Sequence, residues 1–419
     1  MPPHADPDEY RAATQGPVPP GPGKGWPAVR YESLPWTSNL PPGAASRAQT
    51  RRHAGPYQAA VVPHVAGASV ELTGDVLALA DEASQEIARF DLEMGDEMAP
   101  FSAVLLRSES AASSQIEDLT ASACAIAEAE IGDTSRHNAA LIVANTNAMR
   151  AAIHLSARID EEAILAMHRA LMGTSEPGTA GRWRQQQVWI GGGSLGPHHA
   201  VFVPPHHSRV QADIKDLLAF VARDDVPVLA QAAVAHAQFE TIHPFLDGNG
   251  RTGRALIHSM LRNKGLTRRV TVPVSAGLLV DTEAYFGALG AYRTGYPAEM
   301  VARLAEASFA AIANARELIQ ELRAVRQSWT ARVTARRDSA AWRVADLLLR
   351  HPVIDSSLVT TELGIAPANV YRYIKPLEDV GVLTEFTLRR RNRTWRATEV
   401  LAALDAFAAR AGRRTTAAN

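Results

Sequence analysis

The stretch His243-Pro244-Phe245-Leu246-Asp247-Gly248-Asn249-Gly250-Arg251-Thr252-Gly253-Arg254 gathers a base, a carboxylate, turn-forming glycines and two guanidiniums into one short segment. His243 titrates near neutrality, so it can take a proton from an attacking hydroxyl. Asp247 is a hard oxygen ligand, suited to holding Mg²⁺ against phosphates. Gly248 and Gly250 lack Cβ, so the backbone between them can turn its amides toward an anion and let it come close. Arg251 and Arg254, three residues apart, lie on neighbouring faces of a first helical turn and can clamp phosphate oxygens bidentately. Each part alone has a plain structural reading: a Gly-x-Gly is usually a turn before a helix, and a lone histidine a hydrogen-bonded structural group. Together they describe nucleotidyl or phosphoryl transfer by positioning and charge stabilisation.

Such a loop needs rigid neighbours. After Arg254, Leu256, Ile257, Met260 and Leu261 fall at helical spacing, which puts the glycine turn at a helix N-terminus, where partial positive charge favours phosphate. Val210 to Ala222 and Pro227 to Ile242 read as core helices, and the second delivers Glu240 and then His243 just past a rigid element. No Gly-x-x-x-x-Gly-Lys-[Ser/Thr] occurs, so a P-loop is excluded.

The pattern His-Pro-Phe-x-Asp-Gly-Asn-Gly-Arg-x-x-Arg resembles the motif of Fic (filamentation induced by cAMP) domain proteins, and every fixed position is present. The resemblance implies a mostly α fold: a helical Fic core with a β-hairpin flap. It implies an enzyme that transfers AMP from ATP to a Ser, Thr or Tyr hydroxyl of a target protein. It makes His243 the general base, Asp247 the Mg²⁺ ligand and Gly248, Asn249 and Gly250 the phosphate loop. Arg251 supports the loop and phosphates, and Arg254 holds the γ-phosphate. Two alternatives stay open: the same fold with another donor or the reverse, AMP-stripping reaction, and a DNA-binding regulator whose core only senses nucleotide.

Other segments fit the same resemblance. Gly181-Arg182-Trp183-Arg184, then Ile190, Gly191 and Gly192, then Val201, Phe202 and Val203, resemble the flap, which registers a target segment by main-chain strand addition. Tyr285 and Tyr292, seven apart on one helical face, either line an adenine pocket or form an aromatic core stripe. Ser113 to Glu117 matches the inhibitory pattern [Ser/Thr]-x-x-x-Glu-[Gly/Asn], in which Glu117 would pair with Arg254 and displace the γ-phosphate. Read locally, Ser113 or Ser114 is instead a helix N-cap with Glu117 closing a capping box. Asp118 stands where the pattern has Gly or Asn, adding a negative charge and removing a residue tolerant of unusual dihedrals. His168 reads as structural. A metal reading of His198, His199, His206 and His207 is rejected, because the pairs are adjacent and lack acidic or cysteine partners nearby.

Composition frames these motifs. At 419 residues and 46% hydrophobic, the chain has room for two or three domains, and a net charge of -1 carries no global bias toward nucleic acid or membrane. The lone Cys124, the lack of a membrane-length apolar run and the lack of a signal-peptide core predict a cytoplasmic protein. Residues 1–55 read as a Pro/Gly-rich arm with Pro17 to Gly23 and Pro41 to Gly43, whose Trp26, Tyr31 and Trp36 are expected to dock on the neighbouring domain. Residues 56–130 read as a helical region carrying the inhibitory segment, and 131–322 as the catalytic core.

Residues 323–419 carry seventeen Lys/Arg against nine Asp/Glu, while the remainder of the chain is acidic. Helical patterns at 340–350, 358–365 and 370–380, Pro367 at a helix start, and the basic hairpin Leu388 to Arg396 resemble a winged helix-turn-helix domain. Its partner is DNA, met by Asn369, Tyr371, Arg372 and Lys375 with the wing arginines on phosphates, or else protein or a second copy of the chain.

Overall fold

The computed structural model describes residues 26–37, 46, 51–94, 99–193, 195–389 and 392–412. Pro17 to Gly23 and Pro41 to Gly43 of the arm, and the wing residues Arg390 and Arg391, lie outside the described residues. The fold is mostly helical. In chain order the strands are β1 (Arg30–Leu34), β2 (Tyr57–Val61), β3 (Val353–Asp355), β4 (Thr384–Arg389) and β5 (Asn392–Arg396). The helices of the first half are α1 (Gly74–Glu93), α2 (Ala99–Gln115), α3 (Ala123–Glu130), α4 (His137–His154), α5 (Glu161–Met172), α6 (Val210–Val221) and α7 (Val228–Ile242). Those of the second half are α8 (Asn249–Asn263), α9 (Val274–Leu279), α10 (Thr282–Arg293), α11 (Pro297–Arg332), α12 (Ala340–Arg350), α13 (Ser356–Leu363), α14 (Pro367–Glu378) and α15 (Thr398–Ala411). No helix among the described residues is long and apolar enough to cross a membrane.

Two compact units interleave along the chain: residues 1–84, 151–266 and 281–306, and residues 85–150, 267–280 and 307–419. This is a partition of a different kind from the consecutive segments read from composition, and the change of charge near Arg323 falls within the continuous helix α11.

The first unit is built on α7, where Leu229 through Ile242 are all buried. Its alanines let neighbours come close, and α8 crosses it at Gly253, where a Cβ would meet Glu240 Oε1 at 2.5 Å and Phe239 Cδ1 at 3.0 Å. Helix ends are closed by side chains, as buried ends require. Asp160 accepts from Ala163 N at 2.9 Å to start α5 and Asp281 from Ala284 N at 2.9 Å to start α10. Gln231 Nε2 donates to the carbonyls of Phe220, Val221 and Arg223 to end α6. The antiparallel pair β1-β2, in register from Arg30↔Val61 to Leu34↔Tyr57, continues through Ala60 N to Val203 O at 2.9 Å. Trp26 packs edge-on against Phe220 and near Tyr292, and Trp36 edge-on against Tyr57 and Trp189. Both arm tryptophans therefore dock; Tyr31, 55% exposed, does not.

The second unit holds α2, whose charged and polar positions are buried and wired. Arg107 grips Glu130 with two bonds of 2.9 and 2.7 Å and donates to Arg350 O at 2.7 Å. Glu109 accepts from Ser275 N at 2.8 Å and from its Oγ at 2.5 Å. Ser113 and Ser114 sit in the last turn of α2, so the N-cap and capping-box reading is overturned: these serines end a helix. Ser114 Oγ donates back to Ser110 O at 2.8 Å, the local bond open to a mid-helix serine. Toward the chain's end, β3-β5-β4 form an antiparallel sheet beside α12, α13 and α14, with Trp395 buried. Helices α12 to α14 match the predicted pattern within a few residues; β3 was not expected.

Substituting alanine at two helical glycines should separate packing from propensity. Gly253→Ala is expected to destabilise by about 1–3 kcal/mol, as an overpacked helix crossing does. Gly290→Ala, where a Cβ meets nothing within 4 Å, should stabilise by about 0.5–1 kcal/mol. Urea unfolding of both variants checks the opposite signs.

Candidate active site

The motif forms one connected site in the first unit. Helix α7 ends on His243, which takes a left-handed conformation at φ 50°, ψ 63°, and its N–H closes the last turn on Phe239 O. A non-glycine residue held there is strained, and such strain persists only where the surroundings impose it. Here the surroundings are Arg184. Its Nε donates to His243 O at 2.8 Å, Nη2 to Pro205 O at 2.5 Å and Ile242 O at 3.4 Å, and Nη1 to Gln186 O at 3.1 Å, while its own N–H meets Pro244 O at 2.9 Å. Burial pulls this guanidinium down to about 10, so it stays charged at neutral pH. The sequence offered no signal for this role beyond Arg184's place at the flap's start, because its partners lie up to 59 residues away.

The loop itself is closed by Asn249. Its Oδ1 accepts from Phe245 N at 2.8 Å and its Nδ2 donates to Phe245 O at 3.0 Å. The side chain expected in the phosphate loop therefore shapes that loop from behind. Gly248 is the left-handed N-cap of α8, at φ 75°, and brings no side chain to the helix end. The first-turn amides of Asn249, Gly250 and Arg251 so start a helix without a side-chain cap, the geometry that receives anions. A Cβ at Gly248 would meet Leu171 and Met172 of α5 near 3.0 Å, so glycine is required there by both dihedral and space.

His168, on α5, fixes the loop's outer side. Gly181 N donates to its Nδ1 at 2.9 Å, which leaves the proton on Nε2 to bond Asp247 O at 3.0 Å. The ring lies flat on Phe245, with centroids 3.7 Å apart, and Trp183 stacks on the same phenyl. The structural role expected of His168 is what its bonds describe. Asp247 keeps 65% of its side chain exposed; Oδ1 accepts from Gly248 N and Oδ2 lies 3.6 Å from Arg251 Nη2. One exposed carboxylate oxygen fits a Mg²⁺ ion that takes most of its ligands from phosphate and water.

Charge around the base is positive. His243 Nδ1 lies 4.0 Å from Glu240 Oε2, beyond hydrogen-bond reach. Burial, and the charges of Arg184 and Arg293, hold the imidazole down to about 3, so it is neutral at physiological pH. Arg251 and Arg254 are 5% and 1% exposed. Arg293, at the end of α10, is likewise buried and stacks 3.8 Å above the ring of Phe202; sequence reading missed it.

The structure adds detail to two further expectations. Tyr285 and Tyr292 are 1% and 2% exposed, with their hydroxyls bonded to His236 Nε2 at 2.8 Å and Gln238 Oε1 at 2.7 Å. They form the aromatic core stripe, one of the two readings of their spacing. The flap is a small hairpin that pairs through the antiparallel bridge Ile190↔Phe202, with Val201 N donating to Ile190 O at 2.8 Å. Gly191, Gly192 and Gly193 are all left-handed, and a Cβ on Gly192 would strike His199 O. That glycine run turns the chain after Ile190. His198 Nε2 meets Gly55 O, and His206 Nδ1 meets Ser208 Oγ.

In the second unit, Ser113 is buried and Glu117 exposed. Helix α2 ends in a left-handed Asp118, φ 59°, with Leu119 N bonded to Ser114 O and Asp118 N to Gln115 O. That is a Schellman closure, which prefers Gly or Asn at the left-handed position. Asp adopts it at some cost, so the turn of the inhibitory pattern is kept despite the substitution.

Comparison with known proteins bears on this site. Residues 158–261 match the model of the Fic/DOC family, and the chain carries a Fic domain there. Curated relatives include "Protein adenylyltransferase fic-1" of Caenorhabditis elegans, 33% identical over 105 residues, 24% of this chain and 19% of that one. "Protein adenylyltransferase Fic" of Nematostella vectensis is 31% identical over 116 residues, 27% of this chain and 25% of the relative. The chain thus spans only about a fifth to a quarter of the length of these relatives. Among solved structures, a Fic family protein from Desulfovibrio desulfuricans G20 superposes with a TM-score of 0.47 at 20% identity, covering 78% of this chain and 97% of that one.

Buried histidines set an acid limit on stability. Histidine titrates near 6.5 when unfolded, whereas burial holds native His168 down to about 4 and His236 and His243 to about 3. As pH falls below 6.5 the unfolded chain binds three protons that the native state refuses. Asp213 opposes them: burial raises it from 3.8 to about 6, so the native state holds one proton the unfolded chain has not yet taken. For these four groups the net uptake on unfolding is about two protons, and their contribution to stability should fall by about 2–3 kcal/mol per pH unit between roughly pH 5.5 and 4.5. Urea unfolding across that range checks it, and His236→Gln should flatten the slope by about one proton.

Proposed function

We propose that this chain is a Mg²⁺-dependent protein adenylyltransferase, moving AMP from ATP to a Ser, Thr or Tyr hydroxyl of a protein, itself included. The observation that carries it is a neutral imidazole, His243, pinned at the end of α7 beside the uncapped N-terminus of α8. The acceptor hydroxyl gives its proton to His243 as its oxygen attacks the α-phosphate in line; the new O–P bond forms as the bond to pyrophosphate breaks. First-turn amides of α8, with Arg251 and Arg254, offset the charge on the phosphates. Asp247 would hold Mg²⁺, which neutralises phosphate charge when bound. The flap around Ile190, Gly191, Gly192, Val201, Phe202 and Val203 would register the acceptor's backbone. The lone cysteine fits a reducing cytoplasm.

Autoinhibition by Glu117 belongs to the same proposal, since α2 ends in the turn that the inhibitory pattern demands. With α-labelled ATP and Mg²⁺, label should appear on protein, rise at least about tenfold with Glu117→Gly and fall by about 10²–10⁴ with His243→Ala. Absence of label in the Glu117→Gly chain with any nucleotide would sink the transferase reading.

The exposed face of α14 bears on the C-terminal partner. Asn369, Tyr371 and Arg372 are exposed there, while Lys375 pairs with Asp379 and Arg393 with Glu385. Read as a winged helix-turn-helix, this face would take DNA. The full chain should then shift a random duplex in low salt, and Arg372→Ala should weaken it, with a salt slope smaller by about one. No shift would leave the module to a protein partner or a second copy of the chain.

A further inference from the structure

Arg293 is an anomaly in the first unit. Its residue is nine-tenths buried, its Nε is buried without a hydrogen-bond partner, and its guanidinium forms no ion pair with any described residue. Its guanidinium stacks on the face of Phe202, 3.8 Å from the ring centroid. A stack of this kind is worth about 0.5–2 kcal/mol, well short of what removing a cation from water costs. By comparison, the buried Arg184 spends its donors on four backbone carbonyls, and Arg107 is paired bidentately with Glu130. A guanidinium whose Nε is buried without a partner, and whose plane is set by an aromatic face, can receive an oxyanion.

Position says which oxyanion. Phe202 is the flap residue bridged to Ile190, three residues before Pro205. Pro205 O and His243 O are held by the same Arg184 guanidinium, so the return strand of the flap passes beside the base. Arg293 therefore stands on the flap side of His243, and its charge is felt there. Arg251 has its Nη2 near Met172 and Asp247, next to the glycine loop. The two cations divide the site: Arg251 stands with the phosphate loop, and Arg293 with the segment that meets the acceptor.

We infer that Arg293 is a specificity-determining residue, which seats an acidic side chain lying next to the hydroxyl of the acceptor, so that the enzyme selects acidic acceptor segments. This rests on the adenylyltransferase reading above, and it names the acceptor class that reading leaves open. The bidentate match of guanidinium to carboxylate supplies the selectivity, and stacking on Phe202 fixes the fork's plane.

The test uses the full chain carrying Glu117→Gly and short peptides with a central Ser, Thr or Tyr flanked by Asp, Ala or Lys. With α-labelled ATP, kcat/KM for Asp-flanked peptides should exceed that for Lys-flanked ones by about tenfold or more. Arg293→Gln should erase the preference through KM, and Arg293→Lys, which keeps charge and guards against misfolding of the Gln variant, should restore part of it. Calorimetry of ATP with Mg²⁺ on His243→Ala chains, with and without Arg293→Gln, separates the other source of oxyanion. Affinities within about twofold support the acceptor role; a loss of tenfold or more without peptide preference assigns Arg293 to the nucleotide and overturns it. If no chain labels anything, the transferase reading fails by itself. Anisotropy of a fluorescein-tagged Asp-flanked peptide then decides the seat: tighter binding to the Arg293 chain than to Arg293→Gln supports it, and equal binding overturns it.

Discussion

The conformation of the glycine loop depends on one buried guanidinium. A helix that ends on a left-handed histidine leaves its last carbonyls without partners, and Arg184 takes those of Ile242 and His243 together with Pro205 on the flap. One charge thereby sets three things at once: the strained dihedral of the base, the seat of the loop after it, and the distance of the flap from both. Hydrogen bonds from a charged donor are the strong ones, and water excluded from a buried site cannot substitute for them. Lysine could not span the same carbonyls, since it lacks the planar fork.

From that anchor the electrostatics emerge. Burial and neighbouring cations keep His243 neutral, which suits a group that must accept a proton. Of these cations, Arg184 is matched by four backbone carbonyls. Glycine at 248 and 253 is demanded by opposite needs: the first by a left-handed turn tight against α5, the second by the crossing of α8 over α7. The site is thus made by helix packing, with its loop only the visible part.

Much of this was legible in the sequence, where chemistry and local periodicity coincide. The motif, the helix before it and the helix after it fall where residue types and spacing put them, because capping, turn chemistry and apolar period are local rules. What escaped was long-range. Arg184 and Arg293 are ordinary arginines until folding surrounds them with carbonyls or an aromatic face. Asn249 looked like a ligand residue, yet its amide is consumed four residues back, by Phe245. Tyr285 and Tyr292 obeyed helical spacing, but spacing cannot say whether a face meets a cavity or a core. The serine-rich segment before Glu117 fits a helix beginning as well as a helix end, and only the direction of α2 separates them.

The helix that carries this segment is rigidly supported, for α2 is braced along its length. Arg107 is fixed to Glu130 and to the end of α12, Glu109 to the start of α9, and Asn145 Nδ2 to Ser110 O at 2.9 Å and Ser114 Oγ at 3.1 Å. The last turn that precedes Glu117 is therefore gripped from a neighbouring helix, and the left-handed Asp118 ends it sharply. Each brace is a buried charge or amide whose loss would leave an unsatisfied partner, so the helix has little freedom to shift by degrees. Any displacement of such an element is expected to be a step between two arrangements, because packed interiors tolerate discrete repacking far better than gradual strain.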